Sequence, residues 1–343
     1  MAEDEIRQGR IMAKRVAIMG ATGAVGTEFL KVLELRNFPL ASLKLLASAR
    51  SVGRTLPFKG EQLPVEELTE NSFKGIDLVL GSAGGSIAKK FNPIAVAAGA
   101  VVVCNTSAFR MDPNVPLVVP EVNPQDIKRH KGIIANPNCS TIIMNVPVWP
   151  LHKANPIKRL VVSTYQAVSG AGAWGLWELD EQMKAYASGS PIQKKKFPHQ
   201  IVNNIFSHNS AVGPDGYNEE EVKMVAETRK IFHCPEIRVT ATCVRVPVMR
   251  AHSESINIEF SRPMSESQVR DILAKAPGVK IVDDRANSHF PMPLEASDQD
   301  DILVGRIRCD LSIPDGSGIA MFVAGDQILK GAALNAVQIA ELL

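Results

Sequence analysis

The chain has 343 residues, with 38 Lys and Arg against 36 Asp and Glu, 45% hydrophobic residues and 22% charged ones. This fits about two globular domains and excludes disordered and collagen-like classes. A net charge of +2 with only 5% aromatic residues also argues against a nucleic-acid partner, which needs a basic face or stacking platforms.

The opening 15 residues are charged throughout and lack the apolar centre of a signal sequence. Residues 16–19 are a short apolar run and read as a buried strand. Gly20-Ala-Thr-Gly23-Ala-Val-Gly26 follows, and then 28–35, where Phe29, Leu30, Val32 and Leu33 have helical spacing. Strand, glycine turn and helix make a βα unit. Residues 43–47, 76–80, 101–104 and 117–119 read as further short strands alternating with helices or loops, the pattern of a parallel, doubly wound α/β sheet. Beyond about residue 138 the pattern changes. Strands are predicted at 160–164, 239–248, 255–260, 279–282, 302–307 and 319–323, several with no helix between them, which points to an α+β domain with a mixed sheet. Residues 174–183 are helical in pattern, and Ser265-Glu-Ser-Gln268 is a capping box that opens another helix. Residues 329–343 read as an amphipathic helix. The expected division is a Rossmann-type domain at 1–138, with 329–343 packing back on it, and a second domain at 139–328.

The five cysteines are widely spaced and include no CxxC pair, so neither a disulfide framework nor a metal site is expected and a reducing compartment fits. The longest nearly apolar stretch, 94–104, is far short of the roughly 18 residues that span a bilayer. The expected location is the cytoplasm, or the plastid stroma for a plant protein without its transit peptide, with no membrane partner.

Several motifs carry chemistry. Gly20, Gly23 and Gly26 lie where a helix begins, and residues without Cβ let a pyrophosphate approach free backbone N–H groups. The end of the second strand reads Ser48-Ala-Arg50-Ser51. It lacks the acid that would bond a ribose 2′-OH, and its arginine and serine suit a 2′-phosphate, so NADP is favoured over NAD. Asn136-Pro-Asn138-Cys139-Ser-Thr places a thiol in the first turn of a helix, where the dipole favours thiolate, with Asn138 and backbone N–H groups available to an oxyanion. The other four cysteines are read as buried and inert. Gln166 closes a strand and either orients a carbonyl or thiol or simply faces water. Glu220 and Lys223 share a helix face, where a solvated ion pair is the ordinary reading. Arg245 sits in an apolar run and needs an anionic partner. His252 is the best general-base candidate. Seven residues separate it from Arg245, so both reach one site only if the strand breaks near 247–251.

Taken together, GATGAVG at 20–26, SARSVG at 48–53, NTSAFR at 105–110, NPNCST at 136–141, QAVSGAG at 166–172, EEVKM at 220–224, RVPVMRAHSES at 245–255 and GDQILKGAALNA at 325–336 resemble the aspartate-β-semialdehyde dehydrogenase family, in order and over nearly the whole chain. The resemblance implies a homodimer whose first domain holds NADP and whose second holds a small-molecule substrate and the dimer interface. It implies that Gly20, Thr22, Gly23, Ala24, Val25 and Gly26 wrap the pyrophosphate and that Ser48, Arg50 and Ser51 hold the 2′-phosphate, with Ser169, Gly170 and Gln327 bordering the cofactor. Cys139 would be the acyl-thioester nucleophile, Gln166 its orienting partner and His252 the acid–base group. Arg245 would pair the substrate α-carboxylate, with Asn138 beside the nucleophile and Glu220 near the amino group, while Arg110 and Lys223 would hold phosphate. The implied reaction is reductive dephosphorylation of β-aspartyl phosphate by NADPH, on the way to lysine, threonine, methionine and diaminopimelate. The residues alone also admit N-acetyl-γ-glutamyl-phosphate reductase, a malonyl-CoA reductase, or a regulatory protein that binds NADP without turnover. Arg245, Glu220 and the NPNCST wording favour the aspartyl substrate.

Overall fold

The computed structural model describes residues 13–343, and the charged opening of the chain lies outside them. The chain divides into two units. One takes in the described residues as far as Val118, then Pro124–Asn136 and Ala333–Leu343. The other takes in Val119–Asn123 and Pro137–Ala332.

The first unit contains β1 (Lys14–Met19), α1 (Ala24–Leu35), β2 (Leu40–Ala47), β3 (Thr55–Phe58), β4 (Glu61–Glu67), β5 (Leu78–Gly81), α2 (Gly85–Ala97), β6 (Val101–Cys104) and β7 (Ile133–Ala135). They form one sheet in the order β3-β4-β2-β1-β5-β6-β7, parallel except for the β3–β4 edge hairpin. Ala17, Met19, Val79, Val102 and Cys104 meet Ala88, Phe91 and Ala95 of α2. The alternate residues Val16, Ile18, Leu78, Leu80 and Val103 are buried as well. A parallel sheet covered on both faces gives such continuous apolar runs. The strand expected at 117–119 does not form. Only Leu117 bridges to Ala135, because Pro116 and Pro120 flank the run and cannot donate to a ladder. The β3–β4 hairpin gave no signal because most of its residues are exposed.

The second unit contains α3 (Cys139–Ala154), β8 (Ile157–Gln166), α4 (Ala173–Ser188), β9 (Phe206–Ser207), α5 (Glu219–Ile231), β10 (Arg238–Arg245), β11 (His252–Phe260), α6 (Glu266–Leu273), β12 (Val279–Ile281), α7 (Pro293–Ala296), β13 (Ile302–Cys309) and β14 (Gly318–Gly325). Its sheet runs β12-β13-β14-β11-β8-β10-β9 and is mixed: β8 pairs parallel with β10 and antiparallel with β11. Both α3 and α5 pack against this sheet and against each other. The expected capping box closes, with Ser265 Oγ accepting from the Gln268 N–H at 3.2 Å. The strand expected to reach residue 248 stops at Arg245, just ahead of Pro247, and the next begins at His252.

The predicted helix at 329–343 is two pieces, a π-helical turn at Leu329–Ala333 and then α8 (Leu334–Glu341). It is not amphipathic. Nearly every residue is buried, and Asn335 is satisfied internally by Val118 O and Asn136 Oδ1. Among the described residues no helix is long and apolar enough to cross a membrane.

Candidate active site

In the first unit the three glycines do different work. Gly20 has φ +91°, and a Cβ there would lie 2.7 Å from Ser82 O. A Cβ on Gly26 would lie 2.1 Å from Gly20 O. Both are demanded by backbone packing. Gly23 caps α1, and the nearest atom a Cβ there would meet is Gly20 O at 3.3 Å, so its face of the turn is open. The first helical turn leaves N–H groups without intrahelical acceptors, and it contains no acid to neutralise them. Thr22 Oγ1 stands 3.4 Å from Ser51 Oγ, which joins the glycine turn to the end of β2, where Ser48 and Arg50 are exposed. This cradle fits a dinucleotide with an extra phosphate. Also in this unit, Arg110 is buried, and its guanidinium is held flat by Asn136 O at 2.9 Å and Asn105 O at 3.0 Å.

In the second unit the candidate residues are nearly all terminal residues of their elements. Gln166 ends β8, Arg245 ends β10 and His252 begins β11, the last two on the strands flanking β8. Arg245 pairs in register with Gln166. The chain breaks between them as required: residues 246–251 cross the end of β8, and Ala251 takes φ +68°. The peptide of Ala167 then ties both side chains. Its C=O accepts from Arg245 Nη1 at 2.6 Å, and its N–H donates to His252 Nδ1 at 3.0 Å.

Cys139 is the first residue of α3 and is half-buried. The preceding Asn138 caps the helix, its Oδ1 accepting from the N–H groups of Ser140 and Thr141 at 3.0 and 3.3 Å. Its Nδ2 donates to Glu220 Oε1 at 2.8 Å, and Gln166 Nε2 donates to the same oxygen at 3.0 Å and to Ser140 Oγ at 2.9 Å. Glu220 is therefore not solvated, as its position beside Lys223 suggested, but buried. Lys223 Nζ approaches its second oxygen to 3.5 Å. Burial pushes this carboxyl up, but His208, Lys223 and the two amide donors outweigh it and hold it at about 2. His252 is pushed far below its ordinary value by complete burial and by the Arg245 charge. With Nδ1 accepting from a backbone N–H, the proton of the neutral ring lies on Nε2. The charge on Arg245 is opposed by burial and favoured by Glu220 and Cys139.

Three buried polar atoms here have no partner: Arg245 Nε, His252 Nε2 and Gln166 Oε1. Unpaired buried groups are costly, and these belong to side chains tied together through the Ala167 peptide and the Arg245–Gln166 register pair. A Cβ on Gly170 would come within 3.2 Å of both His252 Nε2 and Arg245 Nη1, so the glycine keeps that space open. Gln327 joins two loops of the second unit. Its Oε1 accepts from the Ala251 N–H at 2.8 Å and its amide donates to Ser169 Oγ, so both groups fix the loop ahead of His252.

Sequence reasoning missed Gly331, whose absent Cβ would lie 2.9 Å from Cys139 Cβ. A glycine inside a helical pattern was the available signal. His208, against Arg245, was also missed, lying in a polar loop without periodicity. Cys104 and Cys243 are buried as expected, whereas Cys234 is half-exposed and Cys309 exposed. Neither unit offers a cluster of three metal-ligating side chains among the described residues.

A parallel sheet that opens on a glycine turn, and a cysteine at a helix start in a unit that also buries an arginine and a histidine, are the features of an oxidoreductase. The chain belongs to the semialdehyde dehydrogenase family: residues 15–130 match its NAD binding domain and 148–330 its dimerisation domain. A protein of Synechocystis sp. named aspartate-semialdehyde dehydrogenase is 57% identical over 96% of this chain and 97% of its own length. A crystal structure of aspartate semialdehyde dehydrogenase II from Vibrio cholerae, complexed with ASA, superposes with a TM-score of 0.94 at 45% identity, covering 97% of this chain and 98% of the other. The structure of the Candida albicans enzyme with NADP gives a TM-score of 0.75 at 27% identity, covering 96% and 98%.

Proposed function

We propose that this chain catalyses the NADPH-dependent reductive dephosphorylation of L-4-aspartyl phosphate to L-aspartate-4-semialdehyde, reversibly, through a thioester on Cys139. The observation that carries the reading is that Arg245 and His252, each with a buried, unpaired nitrogen, are tied to the same Ala167 peptide, while the neighbouring Gln166 is bonded to Ser140, the residue after Cys139. The Cys139 thiolate attacks the acyl phosphate and expels phosphate, which Arg110 and Lys223 neutralise. Bound NADPH supplies the hydride that reduces the thioester. As the carbonyl oxygen gains charge, the Nε2–H of His252 donates a hydrogen bond to it, with backbone N–H groups at the start of α3 as further donors. Collapse of the tetrahedral adduct returns Cys139 as thiolate, so the cysteine enters and leaves in the same ionisation state. Acceptance of the Ala167 N–H at Nδ1 supports a role for the Nε2–H of His252, as oxyanion donor or as the acid of the acid–base pair. Arg245 pairs the α-carboxylate, and Glu220, held by Asn138 and Gln166, the α-ammonium. The match of the second unit to a dimerisation domain, with Tyr165 and Phe322 meeting on a partly exposed sheet face, supports a homodimer. Five free cysteines support the cytoplasm.

The test is reduction of NADP+ by L-aspartate-4-semialdehyde. Turnover that requires phosphate is expected. Folded protein that binds NADP+ but turns over only N-acetylglutamate semialdehyde, or nothing, overturns the aspartyl assignment.

A further inference from the structure

We infer that His208 and Ser210 form a bridge that fixes the spacing between Arg245 and Glu220, and that this bridge makes the site selective for a free α-amino acid head. The inference rests on the substrate roles proposed above for Arg245 and Glu220. Arg245 Nη2 donates to His208 Nε2 at 2.8 Å. A guanidinium can only donate, so Nε2 accepts; the Ser210 N–H also faces Nδ1, at 3.3 Å, but the shorter, charged contact from Arg245 decides the tautomer and puts the imidazole proton on Nδ1. That atom lies 3.0 Å from Ser210 Oγ, and the same hydroxyl accepts the Glu220 N–H at 3.3 Å, at the start of α5. Two side chains thus connect the arginine that ends β10 to the backbone of Glu220 in the first turn of α5.

The backbone holds the bridge in place. The short β9 pairs with the end of β10, matching Ser207 to Val244 and Phe206 to Arg245, and the His208 N–H donates to Cys243 O at 2.8 Å. Burial lowers the His208 pKa, and although Glu220 opposes it, the Arg245 charge adds to the fall, to about 4. The ring is therefore a neutral acceptor at pH 7. A zwitterionic head presents carboxylate and ammonium at one fixed separation. If Arg245 drifts relative to Glu220, the pair no longer reads both charges together. An N-acylated head has no ammonium and gains nothing from the spacing.

The test is steady-state kinetics of phosphate-dependent NADP+ reduction. His208→Leu is expected to raise KM for L-aspartate-4-semialdehyde about tenfold or more, the loss typical of a hydrogen bond to a charged group. Its kcat and its KM for NADP+ stay near wild type. His208→Gln, whose Oε1 reaches near the position of Nε2, restores most of the affinity, and His208→Asn, which is shorter, does not. The preference for the semialdehyde over its N-acetylated form falls in the leucine variant. Ser210→Ala breaks the link to Glu220 with a smaller disturbance and raises the same KM if the leucine variant does not fold. An unchanged semialdehyde KM in folded His208→Leu or Ser210→Ala, or equal losses in the glutamine and leucine variants, overturns the bridge. A wild-type chain inert toward the semialdehyde overturns the functional reading instead, before any variant is made.

Discussion

The two units build their sites from different materials. The glycine turn of the first unit is one contiguous stretch that offers backbone N–H groups at a helix start, and it is shaped by what is missing: Cβ atoms that backbone packing forbids at Gly20 and Gly26 and crowds at Gly23. The second unit gathers side chains from the ends of β8, β10 and β11 and the starts of α3 and α5, residues far apart in the chain, and leaves three of their polar atoms buried and unpaired. A backbone site is robust to side-chain change but intolerant of added bulk. A side-chain site is electrostatically coupled, so each member depends on the others.

Substitutions probe this contrast. The largest effect is expected for Cys139→Ala, which removes the covalent step and lowers kcat by at least about 10⁴-fold, while fluorescence titration shows unchanged NADPH binding. A variant that also lost the cofactor would show that Cys139 serves more than the covalent step. Next is His252. Removing an oxyanion donor costs about 10²–10³-fold in kcat, so His252→Ala falls in that range, and His252→Gln, which retains an N–H donor, falls less. Equal losses would return the residue to proton transfer.

The glycines separate by observable. Gly26→Ala, whose Cβ would meet backbone at 2.1 Å, lowers thermal stability by about 3 kcal/mol or more. Gly23→Ala, with φ −81° and a single close contact at 3.3 Å to Gly20 O, lowers the melting temperature much less than Gly26→Ala and raises KM for NADP+. The last effect is a pH dependence within the sheet of the second unit. Glu254 lies two residues along β11 from His252, fully buried, with no partner on either oxygen, and burial raises its carboxyl well above 4.5. The folded chain holds this proton where the unfolded chain releases it. The stabilisation is therefore present below about pH 4.5 and is lost as pH rises toward the folded-state value, by up to about 1.4 kcal/mol per pH unit. Glu254→Gln removes that slope, so its stability relative to wild type improves from pH 5 to pH 8 in denaturant titrations. A constant difference would mean that Glu254 is ionised in the fold.

Legibility followed the same division. The glycine turn could be read because strand, turn and helix are local in sequence, and the order of short apolar runs disclosed the parallel sheet. The helix start at Cys139 was legible because the polar stretch Asn136-Pro-Asn138 runs there into an apolar one. The need for a break between Arg245 and His252 followed from strand alternation, and the crossing at 246–251 supplies it. What was hidden depends on tertiary contact. The burial of Glu220 comes from amides contributed by α3 and β8. The proximity of Gly331 to Cys139 requires a π turn that no periodicity signals. His208 gains its role only when a two-residue strand joins the sheet edge.

The central claim is that a single cysteine carries the acyl group. Incubation with L-aspartate-4-semialdehyde and NADP+ in the absence of phosphate, followed by peptide mass spectrometry, should find an aspartyl thioester on Cys139 alone, discharged when phosphate is added. NADPH formed without such an adduct, or an adduct on Cys104, Cys234, Cys243 or Cys309, would contradict it.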